Sequence, residues 1–95
     1  MSERPPIRNL LNALSDRGLM DIARAIAAKH HVTVEEMLSP QKGAPYSHAK
    51  QAICHLLVAE RGMSTTFVGK VLGLDHSTVY TAVKRHAARM GQSKP

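Results

Sequence analysis

Residues 75–78 read Asp-His-Ser-Thr, four short polar side chains in a row, and "VYTAVKRH" (79–86) follows them with an apolar stripe that ends in Lys-Arg. An Asp at the start of a helical pattern is a natural cap. Short side chains at the first turn of a helix can reach base edges or phosphates, and the free backbone N–H groups there carry a partial positive charge that suits an anion. His76, Ser77 and Thr78 meet that description, with Asp75 as the cap. The plainer alternative leaves Asp75 only capping, Thr78 bonding back to the backbone and His76 solvated. Catalysis by the same residues is excluded by their spacing, because three consecutive residues at a helix terminus cannot align as nucleophile, base and orienting acid.

Other chemistries find less support. The chain has six histidines, but adjacent His30 and His31 point about 100° apart on a helix. His48 and His55 lie seven residues apart with no nearby Cys or carboxylate to complete a ligand set. No metal, no cofactor and no catalytic residue is expected, and the chain does not read as an enzyme. Cys54 is the single cysteine, so an intrachain disulfide is impossible, and its apolar neighbours suit a buried thiol in a reducing compartment. Met20, Met37, Met63 and Met90 fall at helical positions or junctions and read as core filler. Tyr80 suits either a contact to sugar or phosphate or a partly buried amphipathic position.

The elements that must position the polar cluster are all helical. "IRNLLNALS" (7–15) places Ile7, Leu10, Leu11 and Leu14 on one face of a possible short helix within a leader spanning residues 1–16. Asp16 is placed to cap a second helix near 19–31, with Leu19, Ile22, Ala23 and Ile26 at helical spacing. "TVEE" (33–36) has the form of a capping box, which predicts a short helix through Leu38. "SPQKGAP" (39–45) breaks the pattern as an exposed loop. A long core helix near 46–61 follows, with Ala49, Ala52, Ile53, Leu56, Leu57 and Ala59 on its apolar face and Gly62 at its end.

Two more helices come in quick succession, near 64–72 capped by Ser64 and near 75–90 capped by Asp75, joined only by Gly73-Leu74. Val79, Val83, His86 and Met90 form the apolar stripe of the second. A very short Gly-containing turn between two helices, the second opening in polar residues, is the helix-turn-helix pattern. The predicted fold class is all-α, about six helices with a helix-turn-helix near the C-terminus. The helical domain is expected over residues 17–91 and a tail over 92–95.

Ninety-five residues with 43% hydrophobic and 21% charged content suit one small globular domain, and 3% aromatics leave its core to Leu, Ile, Val, Met and Ala. Residues 1–38 carry five basic and five acidic residues, net zero. Residues 39–95 carry eight basic and two acidic, so this half holds the whole +6. A one-sided positive field attracts polyanions, nucleic acid first among them. The start of the sequence lacks the apolar core of a signal peptide, and no apolar run approaches the ~18 residues of a membrane span. A cytoplasmic, nucleoid-associated protein without membrane contact is expected.

"DHSTV" (75–79), preceded by "VGKVLG" (68–73) and followed by "AVKR" (82–85), resembles the signature of the C-terminal DNA-binding domain of the bacterial replication initiator DnaA. The similarity extends upstream through "VEEMLSPQKGAPYSHAKQAICHLL" (34–57) and covers residues 19–90 or so. It implies sequence-specific binding of double-stranded DNA by a monomeric domain. The signature positions fall on Asp75, His76, Ser77 and Thr78 in the major groove, and the loop arginines fall on His48, at the minor groove, and on Lys50, which is expected to contact phosphate. Lys70 and Lys84, on the two motif helices, are placed for phosphate contacts.

The chain also departs from the family pattern. Leu74 stands where the family usually has an arginine, the turn is one residue shorter, and His48 replaces the minor-groove arginine. An imidazole is a weaker partner than a guanidinium for a narrow, negative groove, so the resemblance implies a relaxed or altered site preference. A Walker-type phosphate loop is absent from the sequence, and its length leaves no room for an ATPase domain, so a full initiator is not expected. The expected role is a small regulator of replication initiation or transcription. The alternative is an adapter that engages a replication initiator or its regulatory proteins through Leu10, Leu11 and Leu14, with weak DNA binding or none.

Overall fold

The structure, a computed structural model, describes residues 6–39 and 43–91, the side chains of residues 90 and 91 excepted. Six α-helices and no strand occur among the described residues. They are α1 (Ile7–Asp16), α2 (Met20–Lys29), α3 (Val34–Leu38), α4 (Tyr46–His55), α5 (Thr65–Leu72) and α6 (His76–Gly91). A π-helical turn, Leu56–Glu60, extends α4 without a break.

The first helix belongs to the core. Leu10 and Leu14 are only 2% and 0% exposed, in one cluster with residues of every other helix. The apolar face offered by the sequence as an adapter contact is therefore spent on folding, with only Leu11 half-buried at its edge. Asp16 does not cap α2, as the sequence suggested, but ends α1. The reason lies in the turn: the Leu19 N–H donates to the Leu14 carbonyl at 2.8 Å and the Leu19 side chain is buried, so the chain is pinned three residues past Asp16 before α2 begins.

Helix α2 ends at Lys29 rather than His31. The N–H of His30 donates to the carbonyls of Ile26 and Ala27, and His31 takes a left-handed conformation (φ 61°) that turns the chain out. The capping box of α3 is present in both directions, Glu36 N–H to Thr33 Oγ1 at 3.0 Å and Thr33 N–H to Glu36 Oε1 at 2.9 Å. The loop expected at 39–45 falls partly outside the described residues, at 40–42.

Helix α4 is the central element, and its broadest interface is with α6. Ala49, Ile53 and Leu57 are fully buried, as the periodicity predicts, and so is Cys54, as its apolar neighbours suggest, but Ala59 is exposed. The π turn explains the difference. Arg61 N–H reaches back five residues to the Leu56 carbonyl at 3.0 Å, and this wider turn carries Ala59 off the apolar face while Val58 packs against the core. The chain then leaves the helix at Arg61-Gly62. Along α6, Val79 and Ala82 are buried and Val83 and His86 half-buried; Met90, expected at the end of that stripe, lies outside the described side chains.

Candidate nucleic-acid interface

The two helices of the motif are set by three local devices. Ser64 caps α5, its hydroxyl accepting from the Phe67 N–H at 3.0 Å. Gly73 ends α5 in the left-handed region (φ 74°), where a residue with a Cβ is strained. The next residue closes the turn, Leu74 N–H donating to the Gly69 carbonyl at 2.8 Å. Gly69 is the third device, and its role is space. A Cβ there would lie 2.5 Å from the Leu74 carbonyl oxygen and 3.5 Å from the His76 nitrogen, so only glycine lets the turn sit this close to α5. Sequence reasoning passed over Gly69, although an isolated glycine inside a helical pattern is a known mark of close backbone approach.

Beyond this turn the first residues of α6 stand in solvent. Asp75, His76, Ser77 and Thr78 are all exposed, the Asp75 and His76 side chains by 72% and 67%. The first backbone bond of the helix runs from the Val79 N–H to the Asp75 carbonyl at 3.0 Å, so Asp75 holds the N-cap position. The N–H groups of His76, Ser77 and Thr78 precede the backbone ladder of the helix. The Asp75 carboxylate accepts from the Ser77 hydroxyl at 3.2 Å and lies 3.9 Å from His76 Nδ1. Contacts this exposed hold little energy and are easily exchanged for a ligand's.

The remaining expected residues sit on other parts of the fold. Lys84 lies two turns along α6, exposed, with its Nζ 5.3 Å from the centre of the Tyr80 ring. Tyr80 is itself 56% exposed, which favours the outward reading of that residue over the half-buried one. Lys70 is exposed on α5. His48 and Lys50 are half-buried on the first two turns of α4. Lys50 lines a cleft with Met37, Leu38, Ile53, Leu72 and Leu74, beside the helix-turn-helix turn, while His48 acts electrostatically on His30 at the end of α2. Among the described residues, no group of three or more His, Cys, Asp or Glu could hold a metal ion.

The family model for the bacterial DnaA protein helix-turn-helix matches residues 19–85, well over half of the chain. The chain belongs to the bacterial DnaA helix-turn-helix family. The match begins at Leu19, the residue that anchors α2, and ends at Arg85 on α6, so it takes in α2 to α5 and most of the helix that carries the polar cluster. No curated protein and no solved structure matches the chain. Among the described residues, no helix is long and apolar enough to cross a membrane.

Proposed function

We propose that this DnaA-type domain binds double-stranded DNA in a sequence-dependent way, as a monomer and without catalysis or cofactor. In this reading the first turn of α6 enters the major groove, where Asp75, His76, Ser77 and Thr78 meet base edges. Lys50, Lys70 and Lys84 contact phosphates, and His48 serves the neighbouring minor groove. The observation that carries it is the exposed polar turn 75–78 at the start of the second helix of a close-set helix-turn-helix, within a family match over residues 19–85. The excess of positive charge in residues 39–95 supplies the attraction to a polyanion. The biological role we assign is a small regulator of replication initiation or transcription, working in the cytoplasm at the nucleoid.

The test is a titration against a duplex containing a DnaA-type box and against a scrambled duplex, at several salt concentrations. Tighter binding to the box is expected. His76→Ala should lose ~1–3 kcal/mol on the box and almost nothing on the scrambled duplex, because base contacts carry discrimination. Lys70→Ala and Lys84→Ala should weaken both duplexes alike and reduce the salt slope by ~1 each. Equal affinity of the wild type for both duplexes, or equal loss on both in a folded His76→Ala protein, overturns the base-reading assignment.

A further inference from the structure

Four of the six histidines gather away from the proposed DNA-reading turn. His30 at the exit of α2, His48 and His55 on α4, and His86 on α6 are all half-buried. The rings of His55 and His86 pack with centroids 4.9 Å apart, tilted by 52°. Arg89 lies across the same seam: one guanidinium nitrogen donates to Gln51 Oε1 of α4 at 2.8 Å, and the other stands 3.2 Å from His86 Nδ1.

As a hydrogen bond, that last contact needs a neutral imidazole. A guanidinium only donates, so Nδ1 of His86 must present a lone pair, which leaves the ring neutral with its proton on Nε2. The surroundings agree. Burial lowers the His86 pKa below the ordinary 6.5, helped by the positive potential of His55, Arg89, His30 and Lys29. Burial likewise lowers that of His30, with Lys29, His48, Arg89 and His31 acting in the same direction. The groups acting on the two rings thus come from α2 and its exit (Lys29, His30, His31), from α4 (His48, His55) and from α6 (His86, Arg89), and none is a carboxylate.

We infer that this cluster is an acid-labile clasp, fastening the C-terminal half of α6 to α4 while His86 and His30 are neutral and releasing it when they take up protons. A proton arriving from solvent on His86 Nδ1 removes the acceptor of the Arg89 bond and sets an imidazolium against a guanidinium, a lysine and further histidines. The N-terminal half of α6 has an independent anchor in buried Val79 and Ala82. The pH window follows from the sign of the shifts. Folded-state values below 6.5 mean that the unfolded chain binds more protons there, so the clasp's stabilisation is complete above 6.5 and is lost as pH falls through the folded values. The clasp does not depend on what the domain binds, and its test needs no DNA.

The test uses the full chain. Urea unfolding is followed at about pH 7.5 and about pH 5.0, a range in which unperturbed histidine is the side chain that changes charge. The wild type should lose stability toward the acid side, and His86→Gln should remove a large part of that loss, whereas His76→Gln, outside the cluster, should leave it in place. Imidazole NMR titration of the wild type gives a second reading that no variant's folding can spoil. It should place the His30 and His86 midpoints below 6.5. Equal wild-type stability at both pH values, an undiminished loss in His86→Gln, or midpoints at or above 6.5 would overturn the clasp.

Discussion

Replacing Gly69 by alanine isolates the physical basis of the motif, because two opposing effects can be weighed from the structure. Alanine is the better helix former by ~1 kcal/mol, and on propensity alone Gly69→Ala should stabilise α5. Against that, the new methyl would lie 2.5 Å from the Leu74 carbonyl oxygen. Ordinary carbon-to-oxygen contacts lie at about 3.3–3.6 Å, so roughly 0.8–1.1 Å must be found. A flexible side chain could give that distance, but here the obstacle is backbone, in a turn tied by the Leu74 N–H to the carbonyl of Gly69 itself. Overpacking costs ~1–3 kcal/mol, and an immovable neighbour places this case toward the upper end.

The expected net loss is thus ~1–2 kcal/mol, after the propensity gain is subtracted from the overpacking cost. For a domain of this size that corresponds to a fall in melting temperature of roughly 4–16 °C. The same strain has a functional reading, since the methyl would also stand 3.5 Å from the nitrogen of His76. Relief by displacement of the turn moves the first residues of α6 relative to α5, so discrimination between box and scrambled duplexes should fall more than affinity for the scrambled one. Calorimetry and the duplex titration measure the two effects. A Gly69→Ala protein that melts at a higher temperature and discriminates as the wild type does would refute the reasoning, leaving propensity as the only term at that position.

Two further expectations concern the core. Leu14→Ala should cost ~2–5 kcal/mol in urea unfolding, as a fully buried leucine does; a change within ~0.5 kcal/mol would mean that α1 is not part of the folding unit. Burial pushes the Cys54 thiol up to about 12, so it should resist alkylation near neutral pH and react only as the protein unfolds in denaturant; rapid labelling of the native protein would contradict that burial.

What the sequence disclosed depended on how local the determinant was. The capping box at Thr33 and Glu36, the Ser64 cap and the Gly73 turn are each decided within four residues, and each is present as the sequence predicts. Helix ends set by distant packing were harder to read. Asp16 looked like a cap because its side chain suits one, but the burial of Leu19 decides where α2 begins. Ala59 followed the α-helical period, which a π turn then broke. The exposed cluster 75–78 was legible because polar residues ahead of an apolar stripe leave a signature in one dimension. The histidine cluster was not, because His30 comes from the exit of α2, His55 from α4 and His86 from α6, and only the fold brings them together.

The departure at Leu74 links packing to the proposed DNA contact. The family usually carries an arginine just before the Asp-His pair, and an arginine there would add a cation beside the reading turn. In this chain the position is half-buried, packed against the core, and lines the cleft formed with Met37, Leu38, Lys50, Ile53 and Leu72. A guanidinium at that point would meet the apolar lining or have to snorkel past it, and either course forgoes the contact Leu74 makes. At this turn the chain has packing where an arginine would supply charge. On the proposed reading, phosphate attraction near the groove then falls to Lys50, Lys70 and Lys84, and a smaller share of the binding free energy is independent of sequence. On the same reading, discrimination comes from the exposed side chains of Asp75, His76, Ser77 and Thr78, next to the glycine contact at position 69.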